Sequence, residues 1–169
     1  MRSIAVLVFL ALLMPALAAE ASGAGSAKAQ SLVRVLQATH YVENFKTGVR
    51  QVVHQSGKTN PLLQAVLKTD NAKLNEIFAT VYARHLSLAQ AQKVRQFYES
   101  ATGRALIAAQ MQHVNDPHPE LDLSQAQLLK VKAFTDTDAA KAFAQAARDK
   151  SIWDELGKAL KDELSTAQH

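Results

Sequence analysis

Apolar residues recur along most of the chain at alternating spacings of three and four, the signature of one buried stripe on a helix. Leu32, Val35, Ala38, Val42, Phe45, Val49 and Val52 make the first such stripe, and Thr39 is placed to interrupt it as an N-cap. Gly57 ends it as the residue after a helix C-terminus. Asn60-Pro61 then reads as an N-cap followed by proline at the first helical position, opening a short helix through Leu62, Leu63, Val66 and Leu67. Asp70 offers the next N-cap, before the stripe Leu74, Ile77, Phe78, Val81 and Tyr82.

Ser87 and Gln90 have the spacing of a capping box, in which each side chain satisfies an orphan backbone amide of the other residue. Val94, Phe97 and Tyr98 follow on the inward face, and Thr102-Gly103 marks a junction before Ala105 to Val114. Asp116-Pro117-His118-Pro119 breaks the helical pattern, because proline lacks an amide donor and restricts the residue before it. Ser124 and Gln127 form a second capping box, and Phe143, Ala146, Trp153, Leu156, Leu160 and Leu164 make one last stripe. No run alternates with period two, so the expected fold is all-α: a compact bundle of about six to seven helices.

The first 18 residues stand apart from that pattern. Arg2 is followed by an unbroken apolar run from Ile4 to Met14, then Pro15 and small residues, the layout of a secretory signal. Ala16 and Ala18 occupy the positions a signal peptidase reads, which predicts cleavage after Ala18 and a mature chain beginning at Ala19. The run is shorter than the roughly 20 residues that span a bilayer, so no integral membrane span is expected after cleavage. Residues 19–30 are small and polar and read as a flexible lead-in, with one helical domain over 31–165. The chain has no cysteine, so neither a disulfide nor a lipid anchor on cysteine stabilises or tethers it, and its stability rests on an apolar core.

Residues 86–111 align with 123–148 at a shift of 37. Leu86/Leu123, Ser87/Ser124, Gln90/Gln127, Lys93/Lys130, Val94/Val131 and Phe97/Phe134 are among the identical pairs. The matches include both capping boxes, so the C-terminal half is expected to hold two similar helical hairpins sharing a core.

Residues 74 to 110 resemble the bacterial family catalogued as domain of unknown function two-zero-five-nine. Its mark is a helix ending in an aromatic pair, then serine or threonine, two residues, glycine and a basic or amide residue. Here those are Phe97, Tyr98, Ser100, Gly103 and Arg104, while the second copy has Thr135 and Ala140 in place of the tyrosine and the glycine. The resemblance implies a helical fold and a place in the bacterial envelope, periplasmic or secreted, and it implies no reaction.

Charge adds little. The net charge is +4, and the lysines and arginines are interleaved with acids rather than gathered in a basic block, which argues against a nucleic-acid partner. His113 and His118 with Asp116 offer imidazoles and a carboxylate close in sequence, but a spacing of five does not stack two histidines on one helix face. No metal site and no cofactor is expected. Ser87 and Ser124 are explained as caps, Ser100 lies in no nucleophile-elbow setting, and Glu76, Glu99 and Asp136 show no acid–base pairing, so no catalytic residue is assigned. Phe97, Tyr98 and Gly103 have a structural account, aromatics filling a hairpin and glycine allowing close approach, beside a functional one as the floor of a groove. The expected function is a non-catalytic interaction module whose partner is another envelope protein. The alternatives are a carrier of an apolar small molecule held among Phe45, Phe78, Phe97 and Phe134, and, third, a hydrolase.

Overall fold

The computed structural model describes residues 14–56, 61–112 and 122–166. Among them are nine helices and no strand: α1 (Met14–Ala38), α2 (Tyr41–Ser56), α3 (Pro61–Lys68), α4 (Asn71–His85), α5 (Leu88–Glu99), α6 (Ala101–Gln112), α7 (Gln125–Thr135), α8 (Asp138–Ala146) and α9 (Lys150–Thr166). Gly57, Asn60, Val114 and the segment holding His113, Asp116 and His118 lie outside the described residues.

Helix α4 is the centre of the molecule. Every residue of its predicted stripe is buried, and Ala79, Ala83 and Asn75 are buried as well, so apolar contact surrounds this helix on more than one face. It packs against α1 on one side and α9 on another, and α1 in turn lies between α4 and α5. Leu32 and Leu36 of α1, Phe78 and Tyr82 of α4, and Ile152 and Leu156 of α9 are almost wholly removed from solvent. Each such side chain contributes about 1.5–3 kcal/mol of transfer free energy.

The extra helices come from local breaks. Thr39 does not cap α2: its hydroxyl donates back to the carbonyls of Val35 (2.9 Å) and Leu36 (3.3 Å), closing the end of α1. His40 then takes a left-handed conformation at φ 50, a region where histidine is tolerated better than bulkier residues. The single stripe expected from Phe143 to Leu164 is split into α8 and α9. Asp149 restarts the chain by accepting the Ser151 amide at 2.8 Å, in the manner of an N-cap. Residues 19–30 lie within α1, which begins at Met14 and stays helical through this alanine-rich stretch, alanine being the best helix former. Core contact begins at Ala29, close to the expected start at Leu32. Val52, placed on the first stripe, is 55% exposed near the end of α2.

Asp70 caps α4 as expected, accepting the Ala72 amide at 2.7 Å. Both capping boxes are complete, with Ser87 and Gln90 opening α5 and Ser124 and Gln127 opening α7. The hairpin corners, which periodicity did not place, repeat the same geometry. Ser100 Oγ donates to the Phe97 carbonyl (2.6 Å) and accepts the Gly103 amide (3.0 Å). Thr137 Oγ1, 37 residues on, donates to the Phe134 carbonyl (2.7 Å) and accepts the Ala140 amide (3.2 Å). Positions 37 apart therefore occupy matching places in the hairpins α5–α6 and α7–α8. The two hairpins also meet through matching positions, since Phe97 and Phe134 stack face to face at 3.8 Å with 4° between their planes.

Candidate functional site

The expected junction at Thr102-Gly103 falls earlier, at Ser100, and the difference explains the glycine. Ser100 is the one residue between α5 and α6, so the first turn of α6 folds back onto the last turn of α5. A Cβ on Gly103 would lie 2.1 Å from the Phe97 carbonyl oxygen and 2.7 Å from the Tyr98 Cα, both backbone atoms that cannot yield. Arg104 donates from its guanidinium to the Glu99 carbonyl, placing a cation on an open carbonyl at the end of α5. Three of the five motif residues, Ser100, Gly103 and Arg104, thus build the corner. In the second hairpin two residues, Asp136 and Thr137, separate the helices, and Ala140 replaces the glycine.

The aromatic pair is divided between two surfaces. Phe97 faces the junction of the hairpins, where a groove of about 480 Å³ is lined by Lys93, Phe97 and Ser100 and by their counterparts Lys130, Phe134 and Thr137. Tyr98, whose ring also meets Phe97 and Phe134, reaches on to Phe143, and burial pushes its phenol pKa up. Its edge forms part of a second groove, of about 580 Å³ and mostly apolar, where the end of α1 meets α5 and α6. Tyr98, Ile107, Ala108 and Met111 supply the apolar lining, and His40, Glu99 and Arg104 the polar groups. Met111 is 43% exposed there although it is a large apolar side chain.

Glu99 links this groove to a third, of about 600 Å³, that runs between α1 and α4 past Val33, Arg34, Glu76 and Thr80. Its carboxylate receives Arg34 from α1 at 3.5 Å and Arg95 from its own helix at 3.6 Å. The Arg34 bridge is exposed and adds little stability; it marks the part of α1 that sits beside the end of α5.

The four phenylalanines proposed to hold an apolar ligand do not line one cavity. Phe45 and Phe78 pack together at 5.1 Å and against Trp153, whereas Phe97 and Phe134 stack at the hairpin junction. Tyr41, Tyr82, Phe143 and Tyr98 join the two groups in a continuous series of ring contacts through the core. His113 and His118 lie outside the described residues, and among the described residues no group of three or more histidines and carboxylates is placed to hold a metal ion. Ser87, Ser100 and Ser124 each cap a helix. Asp136 pairs with Lys132 at 3.0 Å. Sequence reasoning missed Ile107, Ala108 and Met111, because a groove made by the end of one helix against the side of another leaves no periodic mark on either.

Residues 72–115 match the model of a family described as an uncharacterized protein conserved in bacteria (DUF2059). The matched stretch spans α4, α5 and α6, and so contains the whole first hairpin and the motif at its corner. No curated protein and no solved structure matches the chain.

Proposed function

We propose, with that family match as the premise, that the chain is exported from the bacterial cytoplasm, loses its first 18 residues, and works in the envelope as a non-catalytic module that binds another envelope protein. The export part rests on Arg2, the apolar run from Ile4 to Met14 and the small residues Ala16 and Ala18. Among the described residues no helix is long and apolar enough to cross a membrane. The interaction part is carried by the groove at Tyr98, Ile107, Ala108 and Met111. An apolar trough between helices, with charged groups beside it, suits an amphipathic segment that buries its apolar side and pairs its polar one. The two hairpins, with their matching caps and corners, fit descent from one duplicated unit, with the glycine corner present in the first copy alone.

The test is a photo-crosslinking residue at Met111, expressed from the native precursor and activated in intact cells. A discrete protein adduct that disappears when Ala108→Glu fills the trough is the expected result. Ala108 is exposed, so that variant keeps its fold. An adduct indifferent to Ala108→Glu, or none, overturns the reading. Mass spectrometry of the recovered chain reports in the same experiment whether it begins at Ala19, and a retained apolar molecule in place of a protein adduct would favour the carrier.

A further inference from the structure

The groove at the junction of the hairpins gathers groups that the fold leaves unused. Lys93 lines it from α5 and Lys130 from α7. Both lysines are exposed, and among the described residues neither pairs with a carboxylate and no carboxylate lines the groove. Helix α6 opens on the same groove, which its first two residues, Ala101 and Thr102, help to line. Their backbone amides have no acceptor among the described residues, so this helix start carries unopposed partial positive charge. The matching helix α8 holds Asp138 in its first turn, whereas α6 has Ala101 at that position and no acid in its first turn. The Thr102 side chain is an independent sign. It is only 7% exposed, yet among the described residues its hydroxyl makes no hydrogen bond. The matching buried place in the second hairpin is filled by Ala139, so packing there calls for no hydroxyl. A hydroxyl removed from bulk water needs a partner, and the open side of this one is the groove.

We infer that this groove binds a phosphate monoester. The two ammonium groups of Lys93 and Lys130 balance a group that carries close to two negative charges at neutral pH. The Thr102 hydroxyl and the first amides of α6 donate to its oxygens, the arrangement in which a helix start holds phosphate. Phe97 and Phe134 stack on each other and so present their rims, the positive part of an aromatic ring, to the groove. A volume of about 480 Å³ leaves room for the organic part of the ester beside the phosphate. A soluble ester and a lipid headgroup carry the same chemistry, and the experiment below separates them. This site shares no residue with the groove at Met111 and stands whether or not a protein binds there.

Phenyl phosphate is titrated into the purified protein by calorimetry. In parallel the protein is sedimented with vesicles of phosphatidylcholine alone and of equal parts phosphatidylcholine and phosphatidic acid. Saturable binding that weakens as salt rises is expected. Thr102→Val leaves the net charge untouched and should weaken it about fivefold, and Lys93→Gln combined with Lys130→Gln at least about tenfold. Lys132→Gln removes a lysine of α7 that lies outside the groove and already pairs with Asp136, and should change binding by less than about twofold. Circular dichroism and thermal melting check that each variant is folded. Binding of phenyl phosphate with this variant pattern assigns a soluble ester, and the same pattern on phosphatidic acid vesicles alone assigns a lipid headgroup. Absence of binding to both probes overturns the inference. So does binding that Thr102→Val leaves unchanged, or a loss with Lys132→Gln as large as with the two groove lysines, since net charge alone then accounts for it.

Discussion

The hairpins α5–α6 and α7–α8 begin with the same capping box and turn on the same hydroxyl–carbonyl pair, yet the first helix of one lies under α1 while the first helix of the other, α7, faces solvent. Local chemistry made them alike: Ser87/Gln90 and Ser124/Gln127 at the entries, and Ser100 and Thr137 at the corners. Tertiary neighbours made them different. Helix α1 descends on α5 and not on α7, so alanine at 91 is a packing requirement while leucine at 128 is not. Equal local structure therefore does not mean equal energetic weight, and paired substitutions measure how far the two have parted.

The largest asymmetry is expected at the corners. Gly103→Ala should cost about 3 kcal/mol, because the new methyl meets backbone it cannot displace. Ala140→Gly, the reverse change in the second hairpin, should cost only about 1 kcal/mol from helix propensity. Chemical denaturation of both variants checks the difference, and equal losses would mean that the tight first corner is not a constraint. Next is the face under α1. Ala91→Leu overpacks the α1–α5 contact and should destabilise by about 2 kcal/mol, whereas Leu128→Ala should stay within about 0.5 kcal/mol. A destabilised Leu128→Ala protein would show that something already covers α7 in solution.

The caps should show no asymmetry. Ser87→Ala and Ser124→Ala each remove one capping hydrogen bond and should each cost about 1 kcal/mol. Unequal values would mean that the exposed helix α7 frays independently of the core. At neutral pH the smallest difference is at position 98, where the second hairpin has Thr135. Burial raises the phenol pKa of Tyr98, and also of Tyr41 and Tyr82, where a mutual hydrogen bond of 3.1 Å joins the two. A raised folded pKa means the fold holds the neutral phenol. That stability is complete below the ordinary value of about 10 and is lost as pH rises through the folded value. Absorbance titration at alkaline pH should therefore find tyrosine ionisation delayed and coincident with unfolding. Tyr98→Phe should lessen the alkaline loss, and normal titration of all three tyrosines would contradict their burial.

Much of this architecture is legible in the residues themselves. The predicted stripe of α4 is buried at every position, the caps at Asp70, Ser87 and Ser124 form as their spacing requires, and the helical class follows from the missing period of two. These features are local: a cap needs a partner three residues away, and a stripe needs only a core somewhere beside it. The motif residues were legible as a group too, but their division was not. Ser100, Gly103 and Arg104 shape a corner, whereas Phe97 and Tyr98 point into two different grooves.

The sequence by itself determined where α3, α4, α5 and α7 start, which face of most helices is buried, and that two hairpins resemble each other. The tertiary structure alone decided that Thr39 closes α1 instead of opening α2, that Phe45 and Phe78 belong to a different cluster from Phe97 and Phe134, and that α1 covers α5 while α7 stays open. Periodicity records that a side chain is buried and carries no information about its neighbour. Which helix lies across which is set by the summed fit of distant surfaces, and no short stretch of chain contains that sum.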